Sequence, residues 1–226
     1  MVQSAQTNHL TKAAERIVRT AAALFAEHGY HGVTTRQIAS AVGLNVATVH
    51  YHVGTKQELY HKVYTYLDAE DQAFMALLLG PVQKQIAEAA IPLPTLISEL
   101  VDKTVSFLAT SPFRIRFYIR YWLDAEQPSL GHKGGAFAHT TAHALYVNIG
   151  DILQTLKEQK AVRLDVDTEL LLQGVLGLIY TYILTGTFDW RMLHGDPWNP
   201  ENLHVFKSSL CKYVCQMLGL WDAPVG

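Results

Sequence analysis

The chain has 226 residues, of which 49% are hydrophobic and 17% charged, and a formal net charge of −2. That length allows one large domain, or a small one and a larger one, with a core that needs no disulfide staples. Its N-terminal residues lack a signal-type apolar run and no stretch stays apolar for ~18 residues, which argues against a leader or spanning helix and predicts a cytoplasmic protein with no membrane partner.

Charge is unevenly spread. Residues 1–60 hold five Lys or Arg against three acids, and the remainder holds 13 against 17. A mildly basic head on an acidic body hints at an N-terminal polyanion partner. The two cysteines, Cys211 and Cys215, lie four apart. On a helix that spacing suits a disulfide poorly, so reduced thiols in a core or interface are expected.

Helical periodicity runs through almost every segment. Ile17, Ala21, Leu24 and Phe25 form the apolar stripe of a first helix, from about Leu10 to His28, opened by Thr11 and closed by Gly29. Thr34 with Gln37 is a capping-box pattern for a second helix, Thr35 to Val42, which Gly43 stops. Asn45 is a competent N-cap for a third helix through about His52, and Gly54 stops it. Thr55 with Glu58 opens a fourth, Lys56 to about Leu79. Further helices are expected near 95–109, 112–125, 136–159, 167–187 and 201–218, with GPV at 80–82, IPLP at 91–94 and EQPSLGHKGG at 126–135 as breaks. The fold class is therefore all-α, with about nine helices.

The turn GLN between the second and third helices has the spacing of a helix-turn-helix, whose second helix lies in a DNA major groove. Ile38, Ala39, Val42, Leu44 and Val49 would fill the inside, and Val46, Ala47, His50 and Tyr51 would face outward. No acidic residue occurs between Glu27 and Glu58, which removes a source of phosphate repulsion. Thr35, Thr48, Tyr51 and Lys56 offer hydroxyl and ammonium donors, and helix starts add backbone N–H groups.

The run TTRQIASAVGLNVATVHYHVGTKQEL resembles the DNA-binding head of tetracycline-repressor-type (TetR family) regulators, through T-x-R-x-IA-x-x-x-G, Thr48, Tyr51-His52 and Lys56. The detailed likeness covers about residues 10–62. By position, it implies that Thr35, Thr48, Tyr51 and Lys56 hold DNA phosphates and that Arg36, Val46, Ala47 and His50 face bases. Asn45, Ala47, His50 and Val53 depart from residues frequent in the family, so base preference does not carry over. The resemblance also implies a head at 1–56 and a helical ligand-binding and dimerisation body at 57–226. It implies a homodimer reading palindromic double-stranded operator DNA, most often as a repressor released by a small-molecule effector.

In the body, the segment Thr168 to Phe188 is apolar nearly all round and must be covered on both sides. Gly174 and Gly177 would permit close helix approach. By the resemblance, Leu176, Ile179 and Ile183 would meet a second copy together with Phe206, Leu210 and Val214 of the last helix. Phe117, Tyr121 and Trp122, with Arg116 and Arg120 on another face, and His139, His143 and Tyr146 on the next long helix, are the candidate walls of an effector pocket. Aromatic walls with Arg or His anchors would suit an apolar or aromatic effector, including one with an acidic group.

His139 and His143 also have metal-ligand spacing, with His132 or His194 as further candidates, so a metal-responsive regulator is one alternative and an all-helical enzyme another. The sequence contains no G-x-S-x-G, no phosphate-cradling glycine loop and no dinucleotide fingerprint. The expectation is a regulator with no catalytic residue, cofactor or resident metal.

Overall fold

A computed structural model describes residues 10–88, 91–124, 141–163, 165–185 and 195–220. Among these residues all regular structure is helical, as the periodicity predicts. The helices are α1 (Lys12–Gly32), α2 (Thr35–Val42), α3 (Val46–Val53), α4 (Lys56–Leu79) and α5 (Val82–Ala87), then α6 (Leu93–Ala109), α7 (Phe113–Asp124), α8 (Thr141–Glu158), α9 (Thr168–Thr185) and α10 (Pro200–Met217).

Local chemistry sets most of the early boundaries. Thr11 Oγ1 accepts from the Ala14 N–H at 3.2 Å and opens α1. Gly29, at φ 72° and ψ 173°, breaks that helix, and one further turn continues to Gly32. Thr34 and Gln37 form the expected capping box of α2, and Gly43 closes it in the left-handed region at φ 68°. α5 was not foreseen. The GPV stretch reads as punctuation, yet Pro81 sits at the N-cap and Val82 and Ile86 are buried behind it. α10 starts one residue earlier than expected because Asn199, followed by Pro at N1, accepts from the Asn202 N–H at 2.8 Å.

The chain divides into two compact units, Met1–Leu67 with Arg116–His132, and Asp68–Ile115 with Lys133–Gly226. The first unit packs α1, α2 and α3 on one another, with the start of α4 and the later part of α7. Its core includes Ile17, Phe25, Ile38, Val49, Leu59, Tyr60 and Phe117, all essentially inaccessible to solvent. In the second unit α10 packs against α6 and α9, and α8 against α9 and α5. Its core is aliphatic, built on Leu78, Val82, Leu96, Ile152, Leu153, Leu156 and Leu171. Gly174 of α9 lets Tyr213 of α10 lie close, since a Cβ there would fall 2.7 Å from its hydroxyl, whereas Gly177 faces open space. Cys211 and Cys215 are buried free thiols, and burial beside Cys211 pushes the Cys215 thiol up to about 11.

Candidate functional site

α3 is short and amphipathic in the sense a groove-reading helix needs. Val49 and Val53 are fully buried against the first unit, while Ala47, His50 and Tyr51 are exposed and Val46 is 36% exposed. Tyr51 is 84% exposed, with the His52 ring edge-on at 5.2 Å. A large aromatic thus stays in water on a helix whose opposite side is sealed. Asn45 Oδ1 accepts both the backbone N–H of Thr48 at 2.7 Å and its hydroxyl at 2.9 Å, so the start of α3 is fixed by its own residues. The Thr48 hydroxyl proton is thereby committed to Asn45.

Arg36 is exposed on α2 and Thr35 half-buried at its first turn. The N–H groups of Thr35 and Arg36 belong to the turn that an α-helix leaves without intrahelical acceptors. Lys56 is half-buried, and its Nζ donates to the carbonyls of Tyr30 at 3.1 Å and Val33 at 3.0 Å, over the Tyr30 ring at 4.1 Å. Burial holds its pKa below the usual lysine value. Two of three ammonium protons thus pin the α1–α2 connection, which leaves one for an external acceptor.

The junction from α3 to α4 depends on Gly54 and Glu58. Glu58 Oε2 accepts from the Thr55 N–H at 2.7 Å and from its hydroxyl at 3.0 Å, and Thr55 Oγ1 accepts from the Glu58 N–H at 3.2 Å. Gly54 has φ 80° and ψ −150°, a region open essentially to glycine alone, and a Cβ there would lie 2.2 Å from Glu58 Oε2. Gly54→Ala is expected to lower the unfolding free energy by about 1–3 kcal/mol, read as a reduced midpoint in urea.

The Thr55 hydrogen bonds hold the Glu58 carboxyl below the usual carboxylate range. A carboxylate whose folded pKa is depressed stabilises above its unfolded pKa and loses that contribution as pH falls through the folded one. Glu58→Gln keeps an acceptor for Thr55 but no titrating group. The stability gap between wild type and this variant should therefore narrow on acidification, as measured by melting at successive pH values.

The aromatic residues expected to wall an effector pocket occupy the following places. Phe117 and Tyr121 are buried in the first unit, against Tyr60 at 5.3 and 5.4 Å between ring centres, and Tyr118 stacks on Trp122 at 6.2 Å. Burial pushes the Tyr121 phenol up to about 12, and its hydroxyl pairs with His61 Nδ1 at 3.1 Å. Arg120 donates from Nε to the Ala26 carbonyl at 2.9 Å and from a terminal nitrogen to the Glu27 carbonyl at 3.0 Å, closing the end of α1 before Gly29. Arg116 and Tyr146 are half-buried.

The second unit contains a cavity of about 180 Å³. Of the eight expected pocket residues, none whose side chain is described lines it. Its described walls are Leu, Ile, Val and Met side chains of α4, α5, α6, α8, α9 and α10 with Leu218 just after it, and Thr104 supplies their one hydroxyl. Four of the residues expected at a subunit interface, Leu176, Ile179, Leu210 and Val214, are among those walls. Ile183 is buried and Phe206 stacks on Tyr182 at 3.9 Å. The exposed large apolar side chains of α9 and α10 are Leu170, Leu178 and Val205. Nothing in the sequence singled out Thr104 or this aliphatic wall, which reads as ordinary core.

Among the described residues no group of three or more His, Cys, Asp and Glu is placed to hold a metal ion, and no helix is long and apolar enough to cross a membrane. His132, His139, His194 and the side chain of His143 lie outside what the structure describes.

Comparison with known proteins points in one direction. Residues 17–63 match the family of bacterial regulatory proteins called the tetR family. The biofilm operon icaADBC HTH-type negative transcriptional regulator IcaR of Staphylococcus epidermidis is 38% identical over 48 residues, or 21% of this chain and 26% of that protein. The match thus spans about a quarter of the length of that curated relative. Solved structures are similar in fold over almost the whole chain. GusR of Salmonella enterica has a TM-score of 0.59 at 19% identity, covering 94% of this chain and all (100%) of its own. The TetR family transcriptional regulator PfmR of Thermus thermophilus scores 0.58 at 21% identity, covering 92% and 100%. A tetR-family regulatory protein from Rhodococcus scores 0.63 at 19% identity, covering 92% and 97%.

Proposed function

We propose that the chain is a TetR-family transcriptional regulator, acting as a homodimeric, cytoplasmic repressor that binds a palindromic operator and leaves it when a small molecule enters the body. The observation that supports this most directly is the outer side of α3, where Val46, Ala47, His50 and Tyr51 are exposed on a helix locked inward by Val49 and Val53. Short side chains let the helix approach base edges, and Val46 and Ala47 suit a thymine methyl. Arg36, on the preceding helix, is a candidate to read guanine through two hydrogen bonds. Tyr51, the N–H groups opening α2, and the remaining proton of Lys56 are the phosphate donors.

One such head covers little DNA, and two on a two-fold dimer would read a palindrome. The proposed dimer face is the exposed apolar side of α9 and α10, marked by Leu170, Leu178 and Val205. Release by an effector requires the ligand to prefer a body conformation that DNA disfavours, and a coupling of ~1–3 kcal/mol gives about a 5–150-fold change in affinity.

Gel retardation of a duplex from the protein's own upstream region is the test. Affinity should fall steeply with salt. Arg36→Ala should weaken binding by about 1–3 kcal/mol and relax preference at one base position, while Tyr51→Ala should weaken all sequences alike. Unchanged retention in both variants would remove α2 and α3 from the DNA interface and overturn the proposal.

A further inference from the structure

Resting on the proposed effector response, we infer that the cavity of the second unit takes an uncharged, aliphatic molecule of about eight carbon atoms with a single hydrogen-bonding group directed at Thr104. The size follows from volume. An apolar cavity of about 150 Å³ lined by Leu, Ile and Phe accepts benzene, so a space of about 180 Å³ suits an apolar guest of about eight carbon atoms.

Charge is the stronger constraint. None of the described lining residues is ionisable at neutral pH, and every one of them other than Thr104 is aliphatic or methionine. Three cations of the unit are committed to other partners. Lys207 donates to Asp102 at 2.7 Å and Ser106 at 2.8 Å, and Lys157 to the Val166 carbonyl at 2.5 Å. Arg114 is held by Glu70 and Asp71, each at 2.8 Å. A carboxylate or ammonium placed among these walls would lose its hydration with no opposite charge among the described lining residues to replace it. Aromatic stacking is equally unsupported, since no described wall residue carries a ring. The acidic and aromatic character expected from the arginine- and ring-rich stretch of α7 therefore does not extend to this site. Thr104 can donate to a carbonyl or ether, or accept from an alcohol.

Titration calorimetry on the full chain without DNA tests this, using 1-octanol below its solubility limit, octanoate and octylammonium at pH 7.5. Binding of 1-octanol at one site per chain, with both ions at least about 100-fold weaker, is the expected result. Thr104→Val should weaken 1-octanol about 2–10-fold. Val175→Phe, which fills the space from α9, should abolish binding while the melting transition is retained. Absence of 1-octanol binding, an ion binding within tenfold of it, or undiminished binding in a folded Val175→Phe protein would each overturn the assignment. Should Val175→Phe not fold, unchanged 1-octanol affinity in Thr104→Val would overturn it instead. Octanol binding of the expected kind that leaves operator retention unchanged would support the cavity's ligand class and count against release by an effector.

Discussion

Replacing Arg114 by leucine should lower the unfolding free energy by about 3–5 kcal/mol. Arg114 stands at the start of α7 and is 4% exposed. One terminal nitrogen donates to Asp71 Oδ1 and the other to Glu70 Oε2, each at 2.8 Å, and the guanidinium lies 5.1 Å from the centre of the Phe107 ring. The fork geometry of arginine satisfies two carboxylates on successive residues of α4, which the single point charge of lysine cannot reproduce. Asp71 keeps only 14% of its side-chain surface exposed, and Glu70 31%. Without Arg114, two adjacent carboxylates remain partly desolvated and repel one another. The burial of Tyr180 and the charge of Asp71 push that phenol up to about 12. A buried ion cluster need not add net stability over apolar residues of similar volume. The prediction therefore has two parts. Arg114→Leu alone is severe, and Arg114→Leu with Glu70→Gln and Asp71→Leu recovers most of the loss. Urea unfolding of both proteins measures it. A single variant within 1 kcal/mol of wild type would mean that water already compensates these charges.

The contrast between what could and could not be read from the sequence has a common cause. Signals whose partners lie three or four residues away were legible. Thr34 with Gln37 and Thr55 with Glu58 form at the starts of α2 and α4 as their spacing predicts, and Asn45 caps α3 as expected, through the Thr48 N–H. The outward set on α3 follows from the same local geometry once the turn is placed. Partners far apart in sequence were not legible. The pairing of Arg114 with residues 43 and 44 positions away leaves no trace in periodicity. The stripe of Phe117 and Tyr121 announces an apolar face on α7 but not what covers it, and Tyr60 of α4 does so. Arg120 looks like a ligand anchor by residue type, yet it serves two backbone carbonyls of α1. A cavity lined by leucine, isoleucine and valine has the composition of solid core, so its presence depends on how well helices fit rather than on which residues they bear.

Tyr60→Ala should cost about 3–5 kcal/mol and remove retention of DNA, whereas Tyr60→Phe should cost only about 1–2 kcal/mol. Tyr60 is the largest side chain in the chain's described core that is wholly inaccessible. Four rings surround it, with centres at 4.9 Å for Phe25, 5.0 Å for Tyr30, 5.3 Å for Phe117 and 5.4 Å for Tyr121. Its hydroxyl donates to Asp124 Oδ2 at 2.8 Å. Burial, reinforced by the Asp124 carboxylate, raises the phenol's pKa far above its ordinary value, so the hydroxyl remains a donor at any working pH. Truncation to alanine opens a space that α1, α4 and α7 would have to collapse into together, and the first unit loses the seat on which α3 is carried. Phenylalanine keeps the rings in contact and deprives Asp124 of one hydrogen bond. Its effect should therefore appear in the melting temperature and not in DNA affinity measured well below that temperature. Loss of DNA retention in Tyr60→Phe, at a temperature where circular dichroism shows the chain folded, would assign the Tyr60–Asp124 bond a part in positioning α3 beyond holding the core. Equal stability of the alanine and phenylalanine proteins would show that the ring cluster contributes little, against the packing argument made for this unit.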